Sequence, residues 1–279
     1  MREYDNETLT KVQKAELGIL RDFVDLCEKN NLTYFGIAGT GIGAIRHGGF
    51  IPWDDDIDVA MPRDDFEQFV DIAKRQYSNK YMIMNGTENE NYPLLTTRWM
   101  IRGTEFVEEP LKNIKCPLGI FLDIYPLDKI PDDEKLFRKQ ARKAFIYSKL
   151  LILRSIPYPV LGFGGIKAKI VHAICAIVNV CMRILHISKR KLYDKFLEIS
   201  TMYNKLEKTE RIDFLCDTTA YLNIHYISDI YPLKKIKFED MQLNFPNKIE
   251  KNLTEAYGDF MKLPPVEKRK NHYPYKLKF

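Results

Sequence analysis

Cysteine is scarce and badly spaced for structural use. Cys27, Cys116, Cys175, Cys181 and Cys216 are an odd number, and no CxxC pair occurs. That excludes a zinc knuckle and a disulfide framework, and reduced thiols in a cytoplasmic protein are expected. Long apolar runs are missing as well. The nearest, Ile170–Ile187, is interrupted by His172, Asn179, Arg183 and His186. The opening Met1-Arg-Glu-Tyr-Asp-Asn-Glu has no apolar stretch, so no secretory signal is expected there. There is no internal repeat or low-complexity tract, which excludes solenoids and flexible arrays. The last shortage is local: from residue 135 to 195 only Asp194 is acidic, against 14 Lys and Arg.

That shortage divides the charge. The 279 residues carry a formal net +5, but residues 1–134 sum to −10, 135–195 to +13 and 196–279 to +2. A neutral-to-acidic globule with one basic segment is implied, and the segment suggests an anionic partner. With 45% hydrophobic and 12% aromatic residues, the chain has the material for a substantial core. The length permits one large domain or two small ones.

Periodicity predicts helices over residues 8–30 (capped by Thr8), 64–76, 132–153, 166–187, 192–206 and 249–257. Strands are predicted near 33–38, 56–61, 81–84, 95–101, 120–125, 236–238 and 241–245. Gly39 and Thr40 read as a turn ahead of a short helix. Intermixed strands and helices with a helical middle favour an α/β or α+β core carrying a helical insertion.

The chemistry concentrates in Gly39 to Met61. Four aspartates fall at 54, 55, 56 and 58. In a strand, Asp54, Asp56 and Asp58 share one face while Asp55, Ile57 and Val59 share the other. Asp56 and Asp58 then stand roughly 7 Å apart at the backbone. Such close carboxylates repel unless a hard divalent cation, Mg²⁺ or Mn²⁺, lies between them. Amides at a helix N-terminus plus a hydroxyl suit a phosphate. Together these features fit metal-assisted transfer at phosphorus. Asp123, a lone charge in an apolar run, is the candidate third acid; capping a turn or pairing with an Arg is the alternative. Trp53 reads as a packing residue or a substrate platform, and His47 as a surface histidine.

The run Gly39-Thr-Gly-Ile-Gly-Ala-Ile-Arg-His-Gly-Gly-Phe-Ile-Pro-Trp-Asp-Asp-Asp-Ile-Asp-Val resembles the signature of the LicD family, which includes bacterial phosphocholine transferases and the fukutin-related proteins. Leu118-Gly-Ile-Phe-Leu-Asp-Ile-Tyr-Pro-Leu-Asp resembles the family's third-acid strand. Tyr257-Gly-Asp-Phe-Met-Lys-Leu-Pro-Pro with Lys268-Arg-Lys-Asn-His resembles its carboxy-terminal block. The resemblance covers roughly residues 8–128 and 236–275. It implies a nucleotidyltransferase-like mixed sheet flanked by helices. The implied division is a catalytic core over 1–134, a basic apolar helical insertion over 135–235, and a segment over 236–279 that completes the core. Asp56 and Asp58 would be the catalytic, metal-binding acids, and Asp123 the third, either a metal ligand or the base that takes the acceptor hydroxyl's proton. Gly39, Thr40, Arg46, Trp53, Arg98 and His272 would contact substrate. The implied donor is a CDP-linked alcohol such as CDP-choline. The acceptor is a hydroxyl of a cell-surface glycan, such as lipopolysaccharide or teichoic acid, or of its lipid-linked precursor. Alternatives are transfer of another phospho-alcohol, a sugar phosphate or a nucleotide, or an inactive membrane-associated assembly factor.

The basic segment is read separately. On the helix at 166–187, residues 172, 179, 183 and 186 form one narrow polar stripe on an apolar cylinder. The helix is buried with its stripe toward solvent, rests on a membrane, or, as the remaining alternative, spans one. Lys167, Lys169, Lys189, Arg190 and Lys191 would then meet anionic headgroups. The expected location is the cytoplasm or, peripherally, the inner face of the cell membrane. Nucleic acid is not an expected partner, since no nucleic-acid module is present.

Overall fold

The computed structural model describes residues 4–216, 224–269 and 271–279. Residues 1–3 of the polar amino terminus and Lys270 of the basic carboxy-terminal motif lie outside the described residues.

The first helix, α1 (Asn6–Lys29), starts earlier than expected. Asp5, not Thr8, is its cap: the Asp5 carboxylate accepts the Thr8 N–H at 2.8 Å and the Thr8 hydroxyl at 2.7 Å. A carboxylate answers the open amides and the helix dipole together. β1 (Phe35–Gly36) is a two-residue strand, because α2 (Ala38–His47) takes over at once. Gly39 and Thr40 therefore lie in the first turn of a helix and not in a turn before it. β2 (Asp58–Pro62) begins two residues later than expected; Asp54 is in a tight bend, with its N–H on Ile51 C=O at 2.9 Å.

α3 (Arg63–Gln76), β3 (Tyr81–Met84), β4 (Thr97–Ile101) and β5 (Glu105–Glu108) follow. β6 (Phe121–Ile130) runs five residues past the expected end, straight through Pro126. Proline is tolerated because β4 has already ended opposite Ile124, leaving one side of Pro126 without a partner strand. Beyond it come α4 (Glu134–Ser155), α5 (Gly165–Ile184), α6 (Lys189–Thr201), β7 (Arg211–Asp213), β8 (His225–Tyr226) and α7 (Ile227–Ile230). The chain closes with the hairpin β9 (Lys234–Phe238) and β10 (Met241–Phe245), then α8 (Ile249–Tyr257) and β11 (Pro274–Lys278).

The main sheet is mixed, in the order β1-β2-β6-β4-β3, with β7 and β8 added along the far half of β6. Only β2 and β6 run parallel among the described pairs of this sheet. α1 and α3 cover one face, where Phe23, Phe69, Trp99 and Tyr81 form a chain of edge-on and tilted rings 4.2–5.3 Å apart. α4 and α6 cover the other, with Phe137, Leu151, Phe196 and Ile199 against Leu127 and Ile130. The alternation Val59 to one core, Ala60 to the other, Met61 back to the first is the period-2 pleat of a strand buried on both faces. The fold is thus the expected mixed α/β sheet flanked by helices. Within the span read as a helical insertion, β7 and β8 are strands of the main sheet.

α5 departs from the pattern. Its stripe is divided: Asn179 is buried and donates to the Leu153 and Arg154 carbonyls at 2.7 and 3.1 Å, while Arg183 and His186 at the far end are exposed. The His172 ring bonds the Pro159 carbonyl at 2.9 Å. Ile166, Ile170, Ile174, Ile177 and Ile184 are exposed instead. Backbone carbonyls freed at the end of α4 are satisfied by Asn179, which turns that side of the helix inward and leaves the isoleucine side outside.

Candidate active site

One row of side chains crosses three strands. Register places Asp58 of β2 opposite Asp123 of β6, and Asp123 opposite Arg98 of β4. All three are buried. The Arg98 guanidinium lies 3.3 Å from Asp123 and 2.7 Å from Glu108, with its face 3.6 Å over the Phe121 ring. Burial pushes the Asp123 carboxyl up, and the Arg98 charge works against that rise. On the near side of the row stands Asp56, which with Asp58 and Asp123 borders a cavity of about 320 Å³. Ile37, Ala38, Tyr125, Phe214, His225, Asn252, Tyr257 and His272 complete its main walls.

Crowding sets the electrostatics. Burial, then Asp56 and Asp123, push the Asp58 carboxyl well above the usual carboxylate range. Its Oδ1 finds no hydrogen-bond partner among the described residues. Asp54 is pushed up to about 8 by burial and by Asp56 and Asp55. For Asp56 burial acts in the same direction but is outweighed by the His272 hydrogen bond and charge, and its carboxyl ends below the usual range. An enclosed, unanswered carboxylate oxygen among three more acids is a donor set that suits a hard divalent cation.

Two other segments support the acids from behind. The Asp58 N–H donates to the buried Thr40 hydroxyl at 2.8 Å, which ties β2 to the first turn of α2. Gly39 leaves room there: a Cβ would fall 2.9 Å from the Asp54 carboxylate. The carboxy terminus returns through β11, which pairs with β5, and delivers His272. The His272 N–H donates to Asp55 at 2.7 Å, and its ring lies 3.1 Å from Asp56 and 3.5 Å from Asp55. Burial would lower the His272 pKa, but the bonds to Asp55 and Asp56 outweigh it and push the pKa up to about 12.

The structure brings Asp56, Asp58, Asp123 and His272 onto one cavity. Thr40 and Gly39 lie one turn behind it. Arg46, Trp53 and Arg98 do not line it. Arg46 donates to the Phe260 carbonyl at 2.6 Å, and Trp53 lies beneath Arg269 at 4.2 Å. Arg98 is enclosed by its two carboxylates. Sequence reasoning missed Tyr4 and Glu16 as parts of the acidic cluster; it placed Asp54 and Asp55 in the acidic run without giving either a role. The Tyr4 hydroxyl donates to Asp55 at 2.7 Å. Glu16 is fully buried, and burial followed by Asp55 raises its pKa. Its signal was legible: it is a carboxylate on the apolar face of α1, one turn from Val12 and Leu20. Tyr125 and Tyr257 stand in the third-acid and carboxy-terminal runs but were given no role there, and Phe214 and His225 lie in no motif.

Comparison with known proteins gives the class first. Residues 31–152 match the family described as LicD/FKTN/FKRP, nucleotidyltransferase domain. A lipopolysaccharide cholinephosphotransferase LicD of Haemophilus influenzae is 30% identical over 276 residues, covering 95% of this chain and 96% of that protein. The chain belongs to the LicD family. An uncharacterized Rickettsia prowazekii protein is 43% identical over 150 residues, or 47% of this chain and 56% of that one.

Proposed function

We propose that the protein is a transferase that moves phosphocholine from a CDP-linked donor to a hydroxyl of a cell-surface glycan or its lipid-linked precursor. The convergence of Asp56, Asp58 and Asp123 on one cavity carries this reading. The 30% identity to a lipopolysaccharide cholinephosphotransferase supports it. Asp56, Asp58 and Asp123 would hold Mg²⁺ or Mn²⁺, and the unpartnered Asp58 oxygen fits that role. When bound, the cation would neutralise the donor's pyrophosphate and make a hydroxyl easier to deprotonate.

The chain's own groups do the rest. The α2 N-terminus, with the free amides of its first turn and Gly39 and Thr40 in it, offers donors to a phosphate. Asp123, whose basicity Arg98 and burial set against each other, would serve either as the third metal ligand or as the base that takes the acceptor hydroxyl's proton. The hydroxyl oxygen then attacks the phosphorus that bears the choline, and CMP leaves. Tyr125, Phe214 and Tyr257 present aromatic surface to the cavity, with Tyr125 and Phe214 in edge contact at 5.0 Å. Such walls suit a quaternary ammonium. Burial holds His225 down at about 4, so at neutral pH it adds no positive charge to repel the cationic group.

The test is release of CMP from CDP-choline in the presence of glycan and Mg²⁺. CDP-ethanolamine and CDP-ribitol run in parallel, with a thermal shift for each. Turnover with CDP-choline, lost on chelation, is expected. Folded protein that neither binds nor cleaves any CDP-alcohol would sink the proposal.

A further inference from the structure

The apolar outer face of α5 has no partner among the described residues, and it is continuous. Ile166, Ile170, Ile174, Ile177 and Ile184 recur at intervals of three, four and seven residues, so they form one stripe along the helix. They are 52–77% exposed together with Val180, where an ordinary surface helix would bury them. Tyr158, Val160 and Phe163 extend the stripe into the preceding loop.

Two observations say what covers it. First, two polar side chains of the helix are already used on the protein side, Asn179 at the end of α4 and His172 at Pro159. The helix is thus fastened at those two points with its apolar face outward. Second, the surrounding charge has one sign. No Asp or Glu occurs from residue 135 to 193, while Lys167, Lys169 and Arg183 are exposed on α5 itself. An apolar strip rimmed by unneutralised cations complements an anionic lipid surface, where the strip enters the acyl boundary and the cations meet the headgroups. A second copy of the chain fits poorly, because face-to-face pairing would oppose the same cations. By length and mean hydropathy of 1.6 the helix could also span a bilayer. Spanning would tear Asn179 and His172 from their partners and place them in hydrocarbon.

We propose that α5 is an in-plane membrane anchor for anionic phospholipid. It holds the protein at a bilayer by its isoleucine stripe, without crossing it. This is independent of the reaction assigned above and is tested without it.

Full-length protein is sedimented with phosphatidylcholine vesicles and with phosphatidylcholine–phosphatidylglycerol vesicles. Strong binding to the anionic vesicles, weakened by salt, is expected, since surface attraction is screened beyond roughly 10 Å at 0.1 M. The exposed triple variant Ile170→Asp, Ile174→Asp, Ile177→Asp should lose about hundredfold in affinity while keeping the wild-type melting temperature. Lys167→Gln with Lys169→Gln should lose about tenfold, on anionic vesicles alone. Absence of binding at low salt, or binding indifferent to the isoleucine changes, would overturn the proposal. So would a stable dimer that covers the stripe, or vesicle association that resists alkaline carbonate as an integral span does.

Discussion

At the scale of the residue, Asp58 is the most informative side chain. It is buried, carries an unpartnered oxygen and has acids on both sides. Burial and the neighbouring acids oppose its charge more than His272 supports it, so a neutral amide there removes that penalty. Asp58→Asn is therefore expected to abolish turnover and to stabilise the metal-free fold by about 1 kcal/mol. Urea unfolding with a chelator, alongside the CMP assay, checks both. Wild-type turnover would remove Asp58 from the metal site.

His225 gives a second residue-scale expectation, on pH. Burial lowers its folded pKa from 6.5 to about 4. The unfolded chain thus binds a proton in that window that the native one refuses. Stability contributed by neutral His225 is complete above 6.5 and is lost as pH falls toward 4, at up to about 1.4 kcal/mol per unit. His225→Phe should flatten that part of the slope in urea midpoints measured from pH 7 to 4. An unchanged slope would assign the acid sensitivity to other groups.

At the scale of the element, function depends on register. β2, β6 and β4 align Asp58, Asp123 and Arg98 across the sheet, and a slip of one residue would turn each to the opposite face. Arg98→Met keeps much of the volume but leaves Asp123 and Glu108 without their cation. A loss of 3–5 kcal/mol, roughly, is expected in urea unfolding, the range for a broken buried pair. A loss below 1 kcal/mol, roughly, would mean water already screens the pair. Packing of α2 is as exacting. A Cβ on Gly43 would lie 2.3 Å from the Gly49 carbonyl oxygen, so backbone must move to admit Gly43→Ala. About 2 kcal/mol of destabilisation is expected from the melting curve, with α2 and its amides displaced from the cavity.

At the scale of the whole molecule, the site joins the two ends of the chain. Tyr4 and His272 meet on the Asp55 carboxylate, and the His272 bond spans 217 residues of sequence. β11 makes that reach possible by pairing with β5, whose Glu108 in turn holds Arg98. Deleting residues 271–279 removes only Leu277 from the edge of one core and the buried Pro274 of β11, but strips Asp55 and Asp56 of His272. Turnover should fall to background while the protein still unfolds cooperatively, at a melting temperature a few degrees lower. A truncated protein with full activity would show that His272 serves packing alone. The charge division also belongs to this scale. The −10 segment holds the acidic site, and the +13 segment holds the exposed face of α5.

The sequence by itself determined the local terms: which stretches are helical, where the acids cluster, and that α5 has a polar stripe. Spacing suffices for these, because each depends on neighbours one or two turns away. It also carried Asp56, Asp58, Asp123 and His272 as candidates, through runs short enough to read as motifs. The tertiary structure alone decided the rest. That Asp58, Asp123 and Arg98 form a row depends on pairing between residues 65 and 25 positions apart in the sequence. That Glu16, Tyr4 and Asp55 support the acids depends on the packing of α1, and that Arg98 is enclosed depends on Glu108. The direction of α5 is the clearest case. Period shows that a helix has two faces, but only the carbonyls at the end of α4 determine which one turns inward. Hydrogen bonds to distant backbone are a long-range term, and no local pattern encodes them.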